Sequence, residues 1–180
     1  MKYELTGETQ ELNGKELHRI VCVTAFASVA VGETGGWVES EDNLSQDGNA
    51  WVYGDAQVYD NAQVFGNARV YDNSQVYGNA RVYGDALVSC NAQVLGNARV
   101  MSEKDYIVLK NTWSSGRYFT YTASNSKWSV GCFYGTGEEL VAKAFNDSEL
   151  SGKCYEAAVK FVEELERIKK EFRCIGNEQN

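Results

Sequence analysis

A single histidine, His18, is the chain's whole supply of imidazole, so general-base chemistry near neutral pH has one candidate carrier. Serine and cysteine nucleophiles have no histidine partner other than this one. Five cysteines (Cys22, Cys90, Cys132, Cys154 and Cys174) are scattered without a CxxC pair, which suggests neither a zinc site nor a disulfide framework. They read as thiols of a reducing cytoplasm. The glycine-rich stretches "GETGG" and "GTG" match neither a phosphate-loop nor a dinucleotide pattern and read as turns. From the residues alone we expect no catalytic residue, no metal, no cofactor and no enzyme.

Charge is the other possible carrier of function. The net charge of −8 is concentrated in residues 1–47, where nine acids stand against three bases. Glu33, Glu39, Glu41 and Asp42 belong to that segment. Direct nucleic-acid binding is disfavoured by this balance, and a basic protein surface is the better electrostatic partner. The chain holds no apolar run of membrane-spanning length and its first residues lack the apolar core of a signal peptide. The expected location is the cytoplasm of a bacterial host, with no membrane partner.

What positions these groups is a repeat. Val52, Val58, Val64, Val70, Val76, Val82, Val88, Val94 and Val100 recur every six residues, each preceded two places earlier by Ala or Ser. The pattern alternates only over "A-x-V" and then turns at Gly, Asn or Asp, so it fits neither a helix nor a long strand. Three such units per coil close a triangular prism, with residues eighteen apart stacked about 4.8 Å from one another. Valines and small residues point inward. Tyr53, Tyr59, Tyr71, Tyr77 and Tyr83 point outward, beside Arg69 and Arg81, as alternation requires.

The repeat resembles the hexapeptide repeat of left-handed parallel β-helices known from bacterial acyltransferases. That resemblance implies the left-handed sense, and a histidine base set in the coils with loops shaping the acceptor pocket; here the coils hold neither a histidine nor an insertion. Related β-helix carbonic anhydrases use three histidines for zinc, which one histidine cannot supply. A second resemblance covers residues 1 to about 101. "NLSQDGNAWV", a "GGWVE" turn and the following hexapeptides look like small phage and prophage proteins.

The fold class expected is therefore mainly β: a left-handed parallel β-helix over 48–101, with an N-terminal β-hairpin cap and irregular first coil over 1–47 and a small α+β domain over 102–180. Asn13-Gly14 signals the hairpin. Three alternating stretches after residue 105 read as a three-stranded meander. Thr136 and Glu139 form a capping box for a short helix, and apolar residues at threes and fours mark a second helix from about 151 to 173. Open prism ends need covers, which the flanks would supply, the C-terminal domain docking on one of them.

The function expected from sequence is a phage-type module that binds a protein partner, such as a basic nucleic-acid-binding host protein. Its most concrete form is an anti-CRISPR or anti-restriction inhibitor of host defence. Its contact residues would be Glu33, Glu39, Glu41, Asp42, Tyr53, Tyr59, Tyr71, Tyr77, Tyr83, Arg69 and Arg81, since Tyr and Arg are the residues of binding hot spots. The alternatives are a homo-oligomeric structural module and, last, an acyltransferase.

Overall fold

The computed structural model describes the backbone of residues 1–177 and the side chains of residues 1–172; Cys174 lies outside the described side chains. Two long strands, β1 (Tyr3–Leu12) and β2 (Lys15–Cys22), pair antiparallel. They turn at Asn13 and Gly14, both at positive φ (53° and 78°), as a two-residue hairpin of this twist demands. β3 (Thr34–Val38) then begins a solenoid of about four coils.

Nine two-residue strands follow at six-residue intervals: β4 (Trp51–Val52), β5 (Gln57–Val58), β6 (Gln63–Val64), β7 (Arg69–Val70), β8 (Gln75–Val76), β9 (Arg81–Val82), β10 (Leu87–Val88), β11 (Gln93–Val94) and β12 (Arg99–Val100). They stack parallel with partners eighteen residues apart, such as Val52 on Val70 and Val58 on Val76. All nine valines and the Ala or Ser before each are buried, forming one continuous core. The first coil is two residues longer: Val38 sits on Val58 and Leu44 bridges to Val64. The surplus lies between Leu44 and Val52 and exposes Gln46 to the start of β1. The Gln46 amide accepts from the Lys2 backbone at 2.7 Å and donates to the Tyr3 carbonyl at 3.1 Å, doing what a strand ladder would do.

The coils have a polarity that decides how they are capped. Each backbone N–H points to the next coil, as Trp51 N to Ala68 O at 3.0 Å and Tyr53 N to Val70 O at 2.8 Å. Carbonyls are therefore left over at the first coil and N–H groups at the last, and buried backbone groups need partners. Side-chain donors meet the carbonyls: Lys2 Nζ to Ala50 O at 2.8 Å, Arg19 Nη1 to Gly54 O at 2.7 Å, Asn43 Nδ2 to Ala62 O at 2.9 Å. Side-chain acceptors meet the N–H groups: Tyr106 Oη from Ser89, Thr120 Oγ1 from Gln93, Ser124 Oγ from Arg99 and Asp105 Oδ2 from Met101.

Those acceptors come from a small C-terminal unit. β13 (Tyr106–Lys110), β14 (Tyr118–Thr122), β15 (Lys127–Val130) and β16 (Phe133–Gly135) make a four-stranded antiparallel sheet. The expected meander of three gains a strand because "KWSVGCFYG" folds back at Gly131, whose φ is +57°. α1 (Gly137–Asp147) starts at the Thr136–Glu139 capping box, and α2 runs Glu149–Asn177. Phe119, Trp128, Leu140, Tyr155, Val159 and Val162 fill the core between sheet and helices. No helix among the described residues is long and apolar enough to cross a membrane.

Candidate functional site

His18 is not an appendage outside the solenoid. β2 pairs with β3, and the sheet order β1-β2-β3-β5-β8-β11 makes the hairpin two further rungs of one solenoid face. His18 is opposite Val38, which is opposite Val58, which is opposite Val76 and in turn Val94. Residues directly across a ladder share a face, so the imidazole continues the interior valine column at its carbonyl-end rim. Ile20, two residues on, is fully buried below it. His18 keeps 29% of its side chain exposed, and a Glu16 carboxylate oxygen lies 3.6 Å from Nε2, close enough for attraction and too far for a good hydrogen bond.

The surroundings are acidic and ordered. Lys15 Nζ bridges Glu39 at 2.9 Å and Asp60 at 2.8 Å, and its ammonium is stabilised upward by those hydrogen bonds, Asp60 first. Burial opposes the charge on Asp60, yet bonds from Lys15 and the Gly78 amide hold its carboxyl below the ordinary range. Asp60 has φ 59° and spans two coils, accepting from Gly78 N at 3.0 Å. Arg19 lies 4.5 Å over the Trp37 ring, with Asp55 at 3.5 Å and Glu8 at 3.9 Å.

The expected contact residues fall apart into several places. Tyr53 stacks on Tyr71 at 4.3 Å, Tyr59 on Tyr77 at 4.9 Å and Phe65 on Tyr83 at 5.0 Å, each nearly parallel. Tyr59 is buried to 4% exposure, because Leu17 and Trp37 of the hairpin sheet cover it. It is a packing residue and not a docking one, and burial raises its phenol well above the usual range. Burial also raises the Tyr77 phenol. Trp51, in an outward position of the repeat, is likewise fully buried, edge-on to Tyr3 and Phe26. Glu39 is tied to Lys15 and accepts from Asp60 N. Glu33 accepts from Ala30 N in its own turn.

Glu41, Asp42 and Arg81 do meet, in a cleft of about 460 Å³ with Gln46, Gln63 and Phe65. Arg81 is held there by Gln63 Oε1 at 3.0 Å. Arg69 lines a separate cleft of about 410 Å³ with Asp85 and Glu103. No group of three or more His, Cys, Asp or Glu side chains among the described residues could hold a metal ion. His18 lines neither of these clefts; from sequence a lone histidine in a hairpin outside the coils reads as a structural residue, and the pairing of β2 with β3 has no local signature.

Comparison with known proteins bears on the solenoid. A family model described as the YdcK beta solenoid repeat matches residues 62–78 and 74–89. An uncharacterized acetyltransferase, YdcK of Escherichia coli (strain K12), is 33% identical over 60 residues. That match covers 29% of this chain and 18% of the relative, so the chain spans less than a fifth of the relative's length. These findings overturn the expected phage-type inhibitor of host defence. The curated relative is described as an acetyltransferase, the class expected last from sequence, and not as an anti-CRISPR or anti-restriction inhibitor.

Proposed function

We propose that the chain is an acyltransferase of the solenoid type, transferring an acetyl group from a thioester donor to an amine acceptor, with His18 as general base. The observation that carries this is the position of His18, on a rung continuous with the solenoid, partly exposed, with Glu16 beside Nε2. The similarity to the acetyltransferase YdcK supports the reaction class. The rim sets Glu8, Glu16, Glu39, Asp55 and Asp60 against Lys15 and Arg19, a balance that favours an acceptor with a cationic group besides its neutral reacting amine.

The chemistry balances simply. The amine gives its proton to the imidazole as its nitrogen bonds to the thioester carbonyl carbon. The carbon–sulfur bond then breaks, and the departing thiolate takes the proton back from the imidazolium, leaving an amide and a free thiol. Glu16, 3.6 Å from Nε2, sets an opposite charge beside the ring as it takes the proton.

The test is release of free thiol from acetyl-coenzyme A by the full chain across a panel of small polyamines and amino sugars. Turnover is expected with at least one acceptor, falling at least 100-fold in His18→Gln and severalfold in Glu16→Gln. Absence of thiol release with every acceptor, or a His18→Gln protein as active as the wild type, overturns the proposal.

A further inference from the structure

α2 carries two apolar faces, and its own domain uses one. Tyr155, Val159 and Val162 are buried against the sheet and α1. The other face holds Cys154, Phe161, Leu165, Ile168 and Phe172, with Ala158 at its border and packed against the domain core; the six positions are spaced four, three, four, three and four. Phe161 is 54% exposed, Ile168 38% and Phe172 70%.

We propose that this face pairs with the same face of a second copy, as a parallel two-stranded coiled coil. A repeat of 3.5 residues is what a partner helix requires; a flat surface would be met by the wider stripe of a 3.6-residue period. Cys154, Phe161 and Ile168 take the d positions, and Ala158, Leu165 and Phe172 the a positions. In that register Glu164 stands at g and Lys169 at e, five residues apart. Within one copy Glu164 pairs with Arg167, and Lys169 with Glu166 and the Lys104 carbonyl; in the parallel arrangement each Glu164 exchanges Arg167 for Lys169 of the other copy. An antiparallel pair would set Glu164 against Glu171, like against like. Acids along the stripe and the net charge of −8 oppose an anionic membrane as the occupant.

The seam is of modest size. At about 200 Å² per aromatic side chain, Phe161 and Phe172 leave roughly 250 Å² open per copy. Ile168 and the stems of the flanking Lys and Glu bring the pair near the ~1,000 Å² of a specific interface. The dimer is therefore expected to be concentration-dependent. Stacking through the prism ends is not an alternative route, because both ends are taken by side-chain caps.

Sedimentation of the full chain under reducing conditions tests it. A species of twice the 20.0 kDa chain mass is expected to grow with concentration. It should be lost in the Phe161→Lys, Ile168→Lys double variant while the circular dichroism spectrum and melting of that variant stay native. In a background of Cys90→Ser, Cys132→Ser and Cys174→Ser, mild oxidation should give a covalent dimer through Cys154 at the parallel d position. A chain that stays monomeric at millimolar concentration overturns the proposal, as does a dimer indifferent to the double variant. A dimer without Cys154 cross-linking overturns the parallel register, and monomers that co-pellet with anionic vesicles through Phe161 overturn the choice of partner.

Discussion

Lys2→Met, followed as a function of pH, isolates the cap at the carbonyl end of the solenoid. Lys2 as a residue is 6% exposed, and its ammonium donates to Ala50 O at 2.8 Å and lies 4.9 Å from the Phe26 ring centre. Burial lowers its pKa from 10.5 to about 8, against the pull of Asp47. Below pH 8 both folded and unfolded chains hold the proton, and the full cost of burying the charge is carried. Between pH 8 and 10.5 the unfolded chain binds more protons than the folded one, so stability rises with pH. From pH 7 to 9.5 that gain is about 2 kcal/mol, or roughly 4–8 °C in Tm for a chain of this size. The phenols of Tyr3 and Tyr59, raised by burial, keep their protons on folding and work in the opposite direction as pH approaches and passes 10. They do so equally in both proteins, so the difference between wild type and Lys2→Met reports Lys2 alone. Melts by circular dichroism at pH 7, 8.5 and 9.5 are expected to draw the two curves apart by that amount, the wild type gaining. Parallel curves would refute the buried-ammonium cap.

Other substitutions test other levels of the fold. Tyr106→Phe removes a hydroxyl that donates to Leu87 O at 3.0 Å and accepts from Ser89 N, so urea unfolding should show a loss of about 1–2 kcal/mol without a change in slope. Gly48→Ala sets a Cβ 2.7 Å from Gly66 O at φ +71°, and a loss of roughly 1–3 kcal/mol is expected by the same assay. Val76→Ala in the interior column should cost about 2 kcal/mol, whereas Tyr71→Ser on the half-exposed stack should cost about 1 kcal/mol or less; equal costs would contradict the inward placement of the valines.

The coils were legible because their instructions are local and repeated. Valine every six residues, a small residue two before it and a turn former between them specify a corner and a two-residue strand nine times over. Asn13-Gly14 and the Thr136–Glu139 box were legible for the same reason, since each acts within four residues. The caps were not. Thr120 and Ser124 sit in and beside a strand whose alternation explains them without any solenoid, and only tertiary docking brings their hydroxyls to Gln93 and Arg99. Tyr59 shows the reverse error: alternation correctly turns it out of the prism, but the hairpin sheet then covers it. Gln46 substitutes a side-chain amide for a ladder, and Val31 of the first-coil segment is 65% exposed though apolar. The position of His18 depended on the same long-range pairing, with β2 joining β3 in register, which no residue near His18 announces.

Because His18 is the only histidine, its ring-proton resonances are the only imidazole signals in the chain's spectrum, and they report the proposed site without assignment. Titrating the full chain with acetyl-coenzyme A and following those signals is the most direct test of acyl transfer at this rim. A saturable shift of the ring signals, weakened in Glu16→Gln, is the expected result. Signals that stay fixed at millimolar donor would place the thioester elsewhere and contradict the account.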